Sequence, residues 1–320
     1  MYCTRTLIFL FNAIEQQNVN QNVNKERCST GRVSCVCLDG TEAGLYSTLQ
    51  TIASQQCNVT VDVADAIQTL VQNVLSSGSL SATGLVALSR LQYVTASNIQ
   101  ILTDFPSSIT VPFISHLLSN IDKLSQNLLS NLMSSDDGTL RRTVATLMRA
   151  AELYLLAFSQ TRAFNTGATS VFDTIAVQSV AASIVRLRSA SLPDSSLFTF
   201  PRYSDPQIGS FSSQSARDSL TLDASALSAL LSGNATTGYI SIASIVFDAL
   251  ASYLPTTVDS AGMNGQQVQI NSRAISAVVF PAVQQQTSAF VEVTLALRSP
   301  LNNTNQSVYC CSYRFSNEYS

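Results

Sequence analysis

The residue types that do chemistry are scarce in this chain of 320 residues. His116 is the only imidazole. Any Ser-His-Asp or Cys-His nucleophilic site would have to use it, and no Gly-x-Ser-x-Gly elbow accompanies it. It is followed by Leu117 and Leu118, where a hydrogen-bonded structural histidine on a helix is the plainer reading. The adjacent carboxylates Asp136 and Asp137 stand in the positions of a general acid/base pair. They precede Gly138, however, and read better as a helix-ending turn and the cap of the next helix. Arg141 and Arg142 read as a solvated helix face rather than an anion site. No GxGxxG, P-loop or HExxH motif is present. The chemistry on offer is therefore not catalytic. No cofactor, metal site or catalytic residue is expected.

Cysteine and asparagine carry more information. The seven Cys fall at Cys3, then at Cys28, Cys35, Cys37 and Cys57, then at Cys310 and Cys311. They do not form paired CxxC knuckles, and one His cannot complete a usual zinc site. Disulfides involving Cys28, Cys35, Cys37, Cys57, Cys310 and Cys311 are expected instead. The odd count leaves one thiol free or paired outside the chain. Cys310 and Cys311 are adjacent, so on a strand they face opposite sides. One of them would suit a downstream Cys; a bridge to an N-terminal Cys is the alternative. Four N-x-S/T sequons stand at Asn58, Asn234, Asn302 and Asn305, candidates for N-glycosylation. Disulfides and sequons together favour an extracellular or cell-surface chain. Arg5 and the apolar Leu7–Phe11 resemble a short signal segment, without a clear cleavage site.

Composition narrows the class. Hydrophobic residues make up 46% and charged residues only 12%, against a usual charged share of roughly 25%. Ser (47) and Thr (28) supply the polarity, and Lys25 and Lys123 are the only lysines. The net charge of −3 offers no footprint for nucleic acid. Hydrophobicity this high with charge this low excludes disorder. The longest apolar run, Leu153–Phe158, is far shorter than the roughly 20 residues of a membrane span.

These residues must be positioned by two kinds of element. Residues 12–27 are Asn/Gln-rich and read as linker. Cys28-x6-Cys35-x-Cys37-x2-Gly40 resembles the second half of an EGF-like module. From about Glu42 to Gln160 the period is helical. Val63, Ile67, Leu70, Val71 and Val74 make one stripe, capped by Thr60 or Asp62 and closed by Gly78. A second helix is predicted from Ser81 through Leu91. A third follows Pro106 and Pro112, with Ile114, Leu117, Leu118, Ile121, Leu124 and Leu128 on its apolar face. A fourth carries Leu140, Val144, Leu147, Ala151 and Leu155. Beyond Thr161 the period becomes two: Ile175 and Val177, Leu220 and Leu222, Ile240 and Ile242, Val268 and Ile270, and Phe290–Arg298. Helices first and strands second predict an α+β fold, a helical unit followed by an antiparallel β-sandwich, and exclude an alternating α/β sheet.

The order of features then resembles the GAIN domain of adhesion G-protein-coupled receptors and polycystin-like proteins. The stretch Ile270-Asn271-Ser272-Arg273-Ala274-Ile275-Ser276 is similar to the family's "v-N-S-x-v-i-S". Val291-Glu292-Val293-Thr294-Leu295-Ala296-Leu297 is similar to its "V-x-l-x-L" strand, and Ile242–Leu254 to its "v-x-x-v-x-x-n-L-x-x-L" segment. Cys311-Ser312-Tyr313 matches the opening Cys and aromatic of the family's proteolysis motif, with Arg314 where Trp is usual. The resemblance implies a helical subdomain A over 42–163 and a sandwich subdomain B over 164–320 lacking its last strand. Residues 1–41 are left as linker and EGF-like remnant. It also implies an extracellular, non-enzymatic module that shields a C-terminal strand (the tethered agonist) and relays adhesion to a seven-helix membrane domain. That strand and that domain are the implied partners. The family's W-x-x-x-G-C, C-x-C and His-Leu-Thr or His-Leu-Ser elements do not follow Ser320. The family's self-cleavage, with His as base on the Thr or Ser hydroxyl, is therefore not expected of these residues, which read as truncated within the motif. The alternative is a secreted or cell-surface binding or structural adhesion protein unrelated to receptors.

Overall fold

The computed structural model describes residues 3–4, 32–33, 35–78, 80–99, 107–131, 137–161, 170–188, 197–201, 206–208, 211, 218–223, 239–253, 273–280 and 291–294. After three two-residue strands come five helices: α1 (Glu42–Ala53), α2 (Val61–Ser76), α3 (Ala82–Asn98), α4 (Ser107–Asn131) and α5 (Asp137–Thr161). The strands are β1 (Cys3–Thr4), β2 (Arg32–Val33), β3 (Val36–Cys37), β4 (Ser170–Ala176), β5 (Val180–Arg188), β6 (Leu197–Phe200), β7 (Ser219–Asp223), β8 (Tyr239–Phe247), β9 (Ala274–Phe280) and β10 (Val291–Thr294). The fold is α+β, with five helices in the first half and antiparallel sheets after them.

The helices begin where hydroxyls can cap them. Thr41 accepts from Gly44 N at 3.1 Å, Thr60 from Val63 N at 3.4 Å, and Ser81 from Gly84 N at 3.0 Å. Each satisfies one of the amides that a helix start leaves without a partner. Gly78, at φ +70, ends the turn after α2 in the left-handed region that favours glycine. Two helices differ from expectation. α3 runs to Asn98, not Leu91, because its second half buries polar residues that apolar periodicity does not see. Gln92 and Gln68 exchange reciprocal amide hydrogen bonds at 2.9 and 3.1 Å, and Thr95 donates to Leu91 O at 2.7 Å. α4 starts at Ser107 and contains Pro112. Proline's fixed φ is compatible with a helix, and near the start it removes only one backbone bond.

Two four-stranded sheets follow, of order β4-β5-β8-β9 and β1-β10-β7-β6. Their described pairings are antiparallel. Residues Val268–Ile270 and most of Phe290–Arg298 lie outside the described residues; β10 is the described part of the latter. β5 and β8 are buried on both faces. Ile184 pairs with Ala243, Ala182 with Ile245 and Val180 with Phe247 on the face toward the helices. Val185 with Ile242 and Ala181 with Val246 face the second sheet, against Phe198, Phe200, Leu220 and Leu222. α5 is buried or half-buried at every residue from Thr143 to Thr161 because it packs between α3 and the strands β5, β8 and β9. The molecule thus has three layers, helices, sheet and sheet, and the helical core runs without a break into the first sheet.

Candidate functional site

The Ile270–Ser276 stretch leads to a buried ion cluster. Arg273 stands just before β9 and is 6% exposed. Its Nη1 is 3.0 Å from Asp218 Oδ2, just before β7, and its Nε is 3.5 Å from Asp248 Oδ1, just after β8. The guanidinium lies 4.7 Å from the centre of the Phe211 ring. One side chain therefore pins the start of a strand in one sheet to the end of a strand in the other. Charge burial of this kind holds only with close pairing and hydrogen bonding, and both are present.

From Asp248 the polar path continues into the helices. Asp248 N donates to Ser179 O at 2.8 Å, and Ser179 lies in the turn joining β4 to β5. The Ser179 backbone amide donates to Asp122 Oδ1 of α4 at 3.1 Å, and the Ser179 hydroxyl donates to the same oxygen. Asp218, Arg273, Asp248, Ser179 and Asp122 form a seam through all three layers. Two further contacts tie helix to sheet. Ser241 Oγ of β8 donates to Ser159 O of α5 at 2.8 Å. Glu152 of α5, 6% exposed, pairs with Arg149 at 2.9 Å and faces Ser276 of β9. Burial raises the Glu152 pKa above its ordinary 4.5, and the Arg149 charge opposes that shift.

The arrangement holds the layers together. His116 Nε2 is 2.7 Å from Gln72 Oε1, and its Nδ1 is 3.7 Å from Asp65 Oδ1. Asp137 opens α5, and Arg142 is exposed on it. No group of three His, Cys, Asp or Glu among the described residues could hold a metal ion. A shallow cleft of about 160 Å³ lies between Val61, Asp65, Ile109 and Phe113, below the roughly 300 Å³ at which ligand pockets begin. A buried polar node sits inside the helical layer. Asn120 Nδ2 donates to Gln68 O at 2.9 Å and to Gln68 Oε1 at 3.2 Å. Tyr154 lies close by, its hydroxyl facing Thr95 and Gln68, and burial pushes its pKa up.

Of the cysteines singled out from the sequence, Cys35 and Cys57 form a disulfide, and Cys37 is also disulfide-bonded. Cys35 is thereby bonded to the α1–α2 loop. Val36 is fully buried in the helical core, and Cys37 N donates to Thr48 Oγ1 of α1 at 3.1 Å. These three residues pack as part of the helical layer. Asn58 is exposed in that loop. Cys28, Cys310, Cys311, Asn234, Asn302 and Asn305 lie outside the described residues. Asp122, Glu152, Asp218 and Asp248 were not singled out from the sequence. In a chain with so few charges each acidic residue is a candidate for a structural role, but no local pattern marks which will be buried.

None of the described helices is long and apolar enough to cross a membrane. Comparison with curated proteins gives no match. Comparison with protein families matches residues 174–320 to GPS, GAIN subdomain B, a stretch that opens inside β4 and takes in the whole sandwich-forming part of the chain beyond it.

Proposed function

We propose, from the premise that residues 174–320 carry GAIN subdomain B of the adhesion-receptor type, that this chain works by holding and shielding. In this reading the sandwich seats a strand encoded after Ser320, the tethered agonist. The module passes pulling on the N-terminal side to a seven-helix membrane domain. In its receptors the family stands outside the cell. The observation that carries the reading is the family match lying on a sandwich whose first sheet is covered by helices. The seam from Asp122 to Asp218 supports the relay, because it joins the three layers by polar contacts with little slack.

The test is to express residues 1–320 joined to the coding sequence that follows Ser320 in its own gene. The expected result is a Cys-rich motif and a set of apolar spans, with receptor signalling that rises when 1–320 is deleted. Coding sequence with no span, and a chain secreted whole, would overturn it in favour of a free binding or adhesion protein.

A further inference from the structure

The α1–α2 loop offers a nucleophilic handle that neither the seam nor the receptor reading uses. We propose that Asn58 is a site of N-linked glycosylation, its acceptor amide presented beside the Cys35–Cys57 bridge at one edge of the helical layer. Four observations carry this. Asn58-Val59-Thr60 is an acceptor sequon, the one of four that falls among the described residues. Val59 is only 2% exposed and anchors the loop, while Asn58 and Thr60 on either side of it face solvent. The Asn58 side-chain amide has no hydrogen-bond partner among the described residues, so a sugar displaces nothing. The preceding residue, Cys57, is oxidised onto Cys35. A structural disulfide marks a chain that folds in an oxidising compartment, and in eukaryotic cells the lumenal glycosyl transfer takes place there too.

The step is a group transfer from a lipid-diphosphate-linked oligosaccharide, the co-reactant. Asn58 Nδ2 attacks the anomeric carbon of the terminal N-acetylglucosamine. A C–N bond forms, and the bond from that carbon to the diphosphate oxygen breaks. The lipid diphosphate leaves with the electron pair, and the amide proton passes to a base of the transferase. In the folded chain Thr60 N donates to Asn58 O at 3.0 Å, and the Thr60 hydroxyl caps α2 through Val63 N. The sequon hydroxyl is thus engaged once α2 has formed, so the transfer precedes completion of the helical layer.

The experiment is expression of the full chain behind a secretion leader in cultured mammalian cells, with cell and medium pools analysed together. Enzymatic release of N-glycans should convert Asn58 to Asp in the recovered peptide, read by mass spectrometry. Asn58→Gln should lose one glycan's worth of gel mobility shift while keeping the α2 cap. Thr60→Ser should keep both the shift and the cap. An unmodified Asn58 in both pools overturns the proposal, whether or not Asn234, Asn302 or Asn305 carry sugar. A glycan at Asn58 would be equally at home on a secreted binding protein, so this result and the receptor test fail independently.

Discussion

Arg273 is where charge burial in the sandwich converges, and its environment sets the scale of its effect. Asp218, its nearer partner, is 1% exposed. Removing one member of a buried ion pair costs about 3–5 kcal/mol, far more than an exposed pair contributes. Arg273→Ala should therefore lower the stability of the chain by about that amount in urea denaturation. Replacing Arg273 with Met together with Asp218 with Leu should recover much of the loss. Glu152 supplies a pH effect of definite sign. Burial raises its folded pKa above 4.5, so the folded state binds more protons than the unfolded state in the window just above that value. The stabilising contribution is complete below the unfolded pKa and is lost as pH rises through the folded pKa. Glu152→Gln should flatten that fall in the denaturation midpoint as pH rises above the ordinary carboxylate range. Arg273 lay inside a stretch the sequence had marked; Glu152 did not, because burial of a carboxylate leaves no local signature.

At the scale of elements, hydroxyls explain how so uncharged a chain stops and starts its helices. Thr41, Thr60 and Ser81 are caps that Ser/Thr richness makes easy to supply, and Thr60 was among the two expected for α2. The end of α3 is hidden from local pattern because Gln92 and Thr95 look solvent-facing in isolation. Gln92 is buried opposite Gln68 of α2, and Thr95 against Tyr154 of α5. The start of α4 is hidden likewise, because Pro112 reads locally as a boundary and yet falls within the helix. The Cys35–Cys57 bridge is a covalent element of the helical layer. It closes a separation of 22 residues, for which chain-entropy arguments give about 3 kcal/mol. Changing both Cys35 and Cys57 to Ser should lower stability by about that amount. In the unaltered chain a reductant should reproduce at least part of the loss, measured by the denaturation midpoint.

For the whole molecule, the shared core decides how the parts behave. The helices do not form a unit beside a sandwich. Phe158 and Tyr154 of α5 belong to the same apolar cluster as Val180, Ile184, Ile245 and Phe247 of the first sheet. Separation of the layers would expose those faces to water at about 25 cal/mol per Å². A protease cut between residues 162 and 169 should therefore leave two fragments that elute together in gel filtration and part only in denaturant. Fragments that separate in native buffer, each folded by circular dichroism, would contradict the continuous core. The same continuity is what the relay in the proposed function requires, since a displaced helical layer must carry the first sheet with it.

Sequence alone determined the order of the periods, helical and then alternating, and with it the α+β class. A local pattern of apolar residues is sufficient for that, because each element must turn one face inward. It also determined the scarcity of reactive groups and the presence of cysteines and sequons, which are matters of inventory. β5 escaped it: Val180–Arg188 is buried on nearly every residue, so it has no alternation to detect. Only the tertiary structure decided that the helices lie on the sheet, and that Asp122, Ser179, Asp248, Arg273 and Asp218 meet. Those partners are tens of residues apart in the chain. Their pairing depends on which faces pack together, and no local pattern records it.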